Sequence, residues 1–407
     1  MKFFGKSYDS HAVACVLLST VGISVLFSPP VMNLAALLLL AVILSSAELR
    51  QSLWATWRLP MVKFILLFYA VMIVGTTYSI APKDVAVRMA IGWSKLLLVP
   101  IGLSLFADTR WKSRFLKAFI GVVTVCAVVS FGLCFLEIDL PVASRERGVF
   151  LRNHATQGMA FAVGAFSAFL LAVESAGGRL RRLYVLCALL LLANIALVTT
   201  GRSGYLVVMV CAVMAVSGYF FFGQRRLAVR EIVGAVLLVV GVVGVLLLVP
   251  TSRERMMLGV QEIQQYEQAK EETSMGIRMV FWKNTIEMIR EQPVLGYGTG
   301  AFGTAYDRKV VGRTGVAATP AGDPHNQYMK ITAENGVVAL VVFLGFLVAV
   351  VRQQCAAPWR LLGLCVLASW CATSLFNSHF STFNEGNFIY AWLGIMLASP
   401  ATNSESV

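Results

Sequence analysis

Charge is what this sequence has least of: 14% of its 407 residues are Asp, Glu, Lys or Arg, whereas 58% are hydrophobic. Soluble globular chains carry charge on roughly a quarter of their residues. This deficit, together with a mean hydropathy of +0.75, excludes a soluble enzyme, a soluble nucleic-acid-binding protein and a secreted disulfide scaffold. The sequence therefore predicts an all-α integral membrane protein, with membrane lipids around it and no nucleic-acid partner.

Acidic residues, histidines and metal-ligating spacings are also scarce. The chain has 21 Asp and Glu against 34 Lys and Arg, a formal net charge of +13, and four histidines. Its eight cysteines show no zinc or thiol-redox spacing and fall in apolar runs or in one connection between them, so no disulfide framework is indicated. What the positive charge means therefore depends on where it lies along the chain.

Apolar runs long enough to cross a bilayer recur along most of the chain. They give about twelve candidate spans, at residues 12–28, 31–47, 61–78, 88–106, 115–136, 155–174, 183–199, 203–222, 232–250, 334–351, 359–376 and 385–399. No small-residue cleavage site follows the first span, which we interpret as a retained helix. The predicted organisation is nine spans with short loops over 1–250, a long loop over 251–333, and three spans with a short tail over 334–407.

Lysine and arginine are unevenly divided between the two sides of these spans. The N-terminus and the connections on its side hold seventeen of them, whereas the short connections on the other side hold six. Because Lys and Arg are retained in cytoplasmic loops, both termini are predicted to be cytoplasmic. The long loop before the tenth span is then predicted to lie outside.

Five arginines oppose this bias: Arg145, Arg147 and Arg152 in one outer loop, Arg202 at the start of the eighth span, and Arg278 in the long loop. Solvated loop charge is the ordinary explanation for an outer arginine. It is weaker for Arg202, which lies in a turn too short to carry its side chain far from the membrane. That side chain must meet lipid headgroups, a neighbouring helix or an anionic ligand, and the pattern favours anion binding.

The long loop is predicted to contain two amphipathic helical stretches, one over 252–273 and one over 277–290. In the second stretch, Trp282 belongs to an apolar stripe with helical spacing, and Arg278 stands one turn before it on an adjoining face. The stretch 293–303 that follows contains a formal G-x-G-x-x-G. Without a strand before it and a sheet around it, a nucleotide site is not indicated. We expect a tight glycine turn that lets backbone approach a ligand or a neighbouring helix.

The segment that starts at Asp323 and runs into the tenth span contains His325. A neutral imidazole at the outer membrane face can act as a base near neutral pH. A lone histidine is more often a packing or hydrogen-bonding residue. We favour this structural role for His154 and His379, which lie in other outer connections, and a functional role for His325.

A metal site is the rival use of these histidines. Asp323, His325 and Glu334 do not complete a ligand set, and the first outer connection, 28–30, carries no acidic residue. Metal-dependent polytopic glycosyltransferases resemble each other in having an acidic motif in an early outer loop. We therefore predict no metal and no cofactor.

One histidine and several arginines at the outer face fit transfer from a lipid diphosphate. A diphosphate leaving group needs charge stabilisation, which arginine supplies at roughly 1.5 to 3 kcal/mol per charge-assisted bond. An acceptor hydroxyl needs a base, and His325 is the candidate.

Several motifs add a resemblance that extends over the chain. They are G-R-S-G-Y around Arg202, R-x-x-x-W from Arg278 to Trp282, P-x-L-G-x-G-x-G-x-F over 293–302, and H-N-Q-Y-x-K-x-x-x-E-N-G over 325–336. With the predicted spans and the long outer loop, they resemble the bacterial O-antigen ligase and polymerase superfamily of polytopic glycosyltransferases.

The resemblance implies an enzyme of the Gram-negative inner membrane that takes O-antigen glycan from undecaprenyl diphosphate. In the ligase branch it joins this glycan, with inversion, to a sugar hydroxyl of lipid A-core on the periplasmic face, which completes lipopolysaccharide. By resemblance, His325 activates the acceptor. The basic positions that match the donor-diphosphate site are Arg147, Arg152, Arg202 and Arg278, and the supporting positions are His154, Trp282, Asn326, Tyr328 and His379.

Two alternatives stay open. An O-antigen polymerase of the same superfamily shares the outer histidine and arginines, whereas ligases for protein acceptors usually carry larger C-terminal periplasmic regions than the residues after the last span here. A polytopic lipid or anion transporter is a different class, and Lys95 inside the fourth span is the feature that favours it, because charges within the membrane are usually functional. Against transport, the sequence shows no repeated halves.

Overall fold

The computed structural model describes residues 9–138, 146–199, 201–222 and 274–399, with four residues near the N-terminus and the single residues 244 and 253. Two short strands, Lys2–Phe3 and Lys6–Ser7, pair antiparallel before the first helix. The fifteen α-helices of the described ranges are α1 (Ser10–Ser24), α2 (Pro29–Ser45), α3 (Ala47–Ala55), α4 (Pro60–Thr77), α5 (Lys83–Gly92), α6 (Leu98–Leu105), α7 (Thr109–Phe135), α8 (His154–Glu174), α9 (Gly178–Leu197), α10 (Arg202–Phe222), α11 (Ser274–Glu291), α12 (Phe302–Val310), α13 (Gln327–Arg352), α14 (Trp359–Thr373) and α15 (Phe383–Leu397). Short 3-10 turns lie at Thr56–Arg58, Trp93–Leu97 and Gly315–Ala318.

Eleven of the predicted spans coincide with α-helices of the described ranges, and the ninth, 232–250, lies outside them. Among the described helical segments, six are long and apolar enough to cross a membrane: α4, α7, α8, α9, α13 and the continuous segment Lys83–Leu105, which comprises α5, a 3-10 turn and α6. Helices α2 and α3 meet that test only as a pair bent by 99°. The prediction of a helical, multi-pass membrane protein is therefore confirmed, whereas the total of twelve spans and the side on which the long loop lies stay predictions.

Contacts between helix ends gather at two sides of the bundle. At one side, the buried Lys112 of α7 donates to the carbonyls of Met396 and Ala398 at the end of α15. At the other side, Asn384 at the start of α15 donates to the carbonyl of Val25, which follows α1. The second side, called the site end below, also collects the starts of α8 and α13 and the end of α4.

Helix α15 is the centre of the bundle, and residues 384–397 are all buried. A helix that is apolar on every face needs partners on every face. Backbone approach supplies one of them, because a Cβ at Gly102 of α6 would lie 2.5 Å from the carbonyl carbon of Gly394. Such small-residue contacts are how membrane helices come close. By contrast, Leu34, Leu37 and Leu44 of α2 are exposed, as expected of a face that contacts lipid.

Helix α13 breaks at Asn335 and Gly336, where the backbone leaves the helical region. The backbone N–H and C=O groups that lose their helical partners at the break form hydrogen bonds with the segment that begins at Pro293. The N–H of Tyr297 donates to the carbonyl of Ala333 at 3.0 Å, and the N–H of Val337 donates to the carbonyl of Pro293 at 2.9 Å. Of the two roles expected for the glycine turn, the structure therefore shows the approach to a neighbouring helix.

We expect replacement of Gly336 by Ala to destabilise the protein by about 3 kcal/mol or more. Gly336 has φ +69° and ψ −174°, a region that only glycine adopts readily, and a Cβ there would lie 1.8 Å from the carbonyl oxygen of Val294. Thermal unfolding of the detergent-solubilised protein measures the effect. The matched control is Gly121→Ala in α7, where a Cβ meets nothing within 4 Å. Equal melting temperatures for the two variants would contradict this account of the break.

Candidate functional site

His325 lies in a tight turn directly before α13. Its φ of +53° is in the left-handed region, which is uncommon for residues other than glycine. Two contacts hold it there: its N–H donates to Asp323 Oδ1 at 2.7 Å, and its ring stacks on Phe281 of α11 with centroids 6.2 Å apart. The imidazole is half-buried, so it is fixed in place and still accessible.

Asp323 joins this turn to two other elements. Its Oδ1 also accepts from Ser378 Oγ at 2.7 Å, and its Oδ2 pairs with Lys330 Nζ at 2.7 Å. Burial alone would raise the pKa of Asp323, but the Lys330 ammonium and the hydrogen bonds outweigh it, and the pKa lies below its usual value. Asp323 is therefore a carboxylate that positions the His325 turn, a role that the sequence did not suggest.

Two of the predicted supporting residues fix the start of α13. Asn326 is its N-cap: the side-chain oxygen accepts from the N–H groups of Tyr328 and Met329, each at 3.0 Å. The Asn326 amide donates to the carbonyl of Leu375, and the Tyr328 hydroxyl donates to the carbonyl of Cys371. Both residues thus tie α13 to the end of α14 and to the loop after it.

Helix α11 places Arg278 and Trp282 beside the same turn. The structure confirms the predicted helix over 277–290. Trp282 Nε1 donates to the carbonyl of Pro324 at 3.0 Å, and its ring packs on Phe376 with centroids 6.2 Å apart. Arg278 is half-buried, and its charge acts on His379. One turn of α11 therefore brings a guanidinium to the region of both histidines.

His379 lies in the loop between α14 and α15, with 1% of its surface exposed. Neither ring nitrogen has a hydrogen-bond partner within the described part of the chain. Burial lowers the pKa of His379, against the opposing charges of Glu385 and Asp323, so the imidazole is neutral at neutral pH. Asn377 of the same loop has its Oδ1 3.5 Å from His325 Nδ1, a long contact that links the loop to the turn.

The remaining arginines lie around the starts of α8 and α10. Arg152 Nη1 donates to Asn384 Oδ1 at 2.8 Å. Arg202 begins α10 beside α8, because a Cβ at Gly201 would lie 2.9 Å from the carbonyl carbon of His154. The His154 ring itself has Nε2 2.8 Å from a Glu146 carboxylate oxygen. These contacts place Arg152, Arg202 and His154 at the site end.

Arg147 stands at the margin of this group. Half of its side chain is exposed, and it pairs with Glu137 at 3.2 Å. Exposed pairs of this kind contribute little to stability. Arg147 therefore lies in a half-exposed ion pair, whereas Arg152 is bound to Asn384 at the start of α15.

Sequence reasoning missed Asn384 and Glu385. Glu385 is buried, and its two carboxylate oxygens accept from Thr156 of α8 and from Thr382. Both residues stand at the edge of the predicted twelfth span, where a polar pair is easily taken for the end of the apolar run. A carboxylate so close to a membrane segment was the available signal, because such groups are costly to bury and usually functional.

Lys95 has a structural role in this arrangement. Its ammonium donates to the carbonyls of Ser381 and Thr382, the latter at 2.9 Å, at the start of α15. The charge is thereby used to fix the loop that carries His379. Within the described ranges, no group of three or more His, Cys, Asp or Glu side chains is arranged to hold a metal ion.

We expect Asp323→Asn to cost on the order of 3 kcal/mol at pH 7, because it leaves the mostly buried Lys330 without its counter-charge. The folded pKa of Asp323 is lowered. The stability that the Asp323 carboxylate contributes is therefore complete above its unfolded-state pKa of about 3.9, and it is lost as the pH falls through its pKa in the folded protein. Thermal unfolding of both proteins from pH 7 down to pH 3 measures this difference.

The control is Asp84→Asn, which breaks an exposed pair with Arg88 and should cost at most about 1 kcal/mol. If Asp323→Asn were no less stable than this control at pH 7, Asp323 would not hold the turn as described.

Comparison with known proteins gives one family. Residues 187–344 match the O-antigen ligase family, and no curated protein matches the chain. The matched stretch contains Arg202, Arg278 and the His325 turn, and it reaches past the break in α13. The resemblance expected from the motifs is thereby confirmed: this match supports membership of the O-antigen ligase superfamily.

Proposed function

We propose that this protein is an O-antigen ligase of the Gram-negative inner membrane. It moves O-antigen glycan from undecaprenyl diphosphate to a sugar hydroxyl of lipid A-core, without a metal ion and with inversion at the anomeric carbon, and so completes lipopolysaccharide. In this proposal the site end faces the periplasm and both termini are cytoplasmic. The family match supports a glycosyltransferase-like enzyme with a lipid-linked glycan substrate; the donor, acceptor and orientation are our proposal.

The observation that carries the proposal is the placement of His325. The turn holds its imidazole half-buried and in an uncommon backbone conformation, with Asp323 and Phe281 fixing it. Backbone strain of this kind persists where the surroundings impose it, often at functional sites. Arg278 lies close by on α11. A fixed base beside a cation is what transfer from a diphosphate to a hydroxyl requires.

In the proposed reaction, the acceptor hydroxyl loses its proton to a ring nitrogen of His325 as its oxygen attacks the anomeric carbon. The bond from that carbon to the diphosphate oxygen breaks, and its electron pair leaves with undecaprenyl diphosphate. One displacement from the opposite face inverts the configuration. Proton transfer to a positioned base contributes about 10² to 10⁴ in rate.

The arginines stabilise the negative charge that the leaving diphosphate gains. Arg202 and Arg278 are the best placed, because each begins or lies near the start of a helix at the site end. Arg152 is held by Asn384, and Arg147 is half exposed. Trp282, Asn326 and Tyr328 support this site by fixing the elements that carry it, and His154 and His379 are its further supporting residues.

Polymerase activity is the alternative within the same superfamily, and the family match does not separate the two. Transport loses its main support, since Lys95 binds the carbonyls at the start of α15. The identity of the acceptor therefore distinguishes a ligase from a polymerase.

The deciding experiment gives the purified protein synthetic undecaprenyl-diphosphate glycan, with or without lipid A-core, and with EDTA throughout. We expect glycan on lipid A-core, and we expect His325→Asn to reduce the rate by about 10² to 10⁴. Asparagine tolerates the left-handed region, so this variant removes the base and keeps the turn.

The control is His11→Asn at the opposite side of the bundle, where His11 contacts the carbonyl of Leu105; its rate should equal that of the wild type. Longer glycan on undecaprenyl diphosphate without acceptor would identify a polymerase. Loss of transfer in EDTA would contradict a metal-independent reaction.

Arginine-to-lysine variants test the diphosphate site. We expect Arg202→Lys and Arg278→Lys each to lower kcat/KM for the donor by about 10- to 100-fold, because lysine keeps the charge but loses the planar fork that binds two phosphate oxygens. Arg88→Lys is the matched control, since Arg88 is exposed and pairs with Asp84. Unchanged donor kinetics in both test variants would remove these arginines from the site.

A further inference from the structure

A small polar pocket of about 230 Å³ lies between the start of α8 and the start of α15. Five polar side chains that line it are Arg152, Asn377, His379, Asn384 and Glu385. Pockets for drug-sized ligands are usually larger, roughly 300 to 1,000 Å³, and mostly apolar. The size and polarity of this one fit a single small polar ring better than a lipid chain.

His379 is the unusual member of this lining. It is 1% exposed, and both ring nitrogens are without a hydrogen-bond partner in the described ranges. Buried polar groups are nearly always hydrogen-bonded, because leaving them unpaired is costly. A neutral imidazole offers one donor and one acceptor. One nitrogen therefore needs an acceptor and the other needs a donor, and a hydroxyl can serve as the partner of either nitrogen.

The charges of the pocket also favour a neutral ligand. Arg152 and Glu385 carry opposite charges, and the remaining lining side chains are uncharged. Glu385 accepts one hydrogen bond on each carboxylate oxygen, and lone pairs are left over on both. A diphosphate entering here would meet that carboxylate, whereas sugar hydroxyls can donate to it and accept from Arg152.

The pocket adjoins the base proposed for transfer. Asn377 lines the pocket, and its Oδ1 lies 3.5 Å from His325 Nδ1. Arg152, placed above in the diphosphate site, lines it as well. The two sugars that react in a glycan transfer must meet between the diphosphate and the base, and this is where the pocket lies.

We propose that this pocket is a sugar subsite, in which His379 hydrogen-bonds a ring hydroxyl of one of the two glycans that react beside His325. The inference rests on the proposed function, since it names where that reaction holds a substrate. The ring can belong to the acceptor core or to the donor glycan. In either case His379 is a binding residue and His325 remains the base.

The test compares His379→Phe, which keeps a planar ring and removes both nitrogens, with His379→Gln, which restores a hydrogen-bonding group. We expect His379→Phe to raise KM about 5- to 100-fold for one substrate, because a hydrogen bond to a buried hydroxyl is lost. The value of kcat should be nearly unchanged. His379→Gln should recover part of the loss. A raised KM for lipid A-core identifies the acceptor, and a raised KM for the donor identifies its glycan.

Thermal unfolding separates this role from a structural one. Because the His379 ring nitrogens make no hydrogen bond to the described residues, and the bond from the Thr382 hydroxyl to the His379 carbonyl does not depend on the His379 side chain, His379→Phe should melt at or above the wild-type temperature. Leu375→Ala, an exposed side chain of the same loop, is the control for loop disturbance and should leave both KM values unchanged. Unchanged KM values in His379→Phe would overturn the subsite.

A direct measurement of sugar binding makes this test independent of glycan transfer. Saturation-transfer NMR on the full detergent-solubilised chain measures the binding of three compounds: free core oligosaccharide, diphosphate-free O-antigen oligosaccharide and inorganic diphosphate. Sugar binding that is lost in His379→Phe supports the subsite even if the wild type transfers nothing, in which case only the proposed function fails. If neither sugar binds the wild type, or if His379→Phe weakens only inorganic diphosphate, the subsite is overturned.

Discussion

A helix that breaks inside a membrane bundle leaves backbone groups that protein must bind, because lipid offers no hydrogen bonds. In this protein the break at Asn335 and Gly336 meets that requirement with the segment that begins at Pro293. The segment that follows α11 is thereby tied to α13 about two turns after the start of this helix. The position of His325, and of α11 beside it, depends on this junction.

Around that junction the site is assembled from parts far apart in sequence. Arg152 comes before α8, Arg278 lies on α11, His325 precedes α13 and His379 follows α14. Hydrogen bonds to side-chain oxygens hold these parts, as the Asp323 carboxylate does for the turn and the Asn384 amide oxygen does for Arg152. The arrangement fixes each of these side chains through a separate element.

The sequence predicts most of the fold, because length and apolarity alone identify a membrane helix, and α4, α7 and α9 coincide with predicted spans. It also selects His325 and Arg278 as candidates, because these residue types are unusual at such positions in a membrane protein, and the structure places Arg278 on α11 and His325 beside it. It does not reveal Asp323, Asn384 or Glu385, because their roles come from contacts between distant elements. The bond from Thr156 to Glu385 spans 229 residues, and no local pattern records such a pair. The break in α13 was missed for the same reason.

Two lysines hold α15 at its opposite ends. Lys95 binds the carbonyls of Ser381 and Thr382 before its first turn, and Lys112 binds those of Met396 and Ala398 after its last. A shift of α15 along its axis in either direction would stretch one of these pairs while compressing the other. The helix is therefore fixed against axial sliding, and the position of Asn384 and Glu385 along the helix axis is set by the bundle and not by what enters the site.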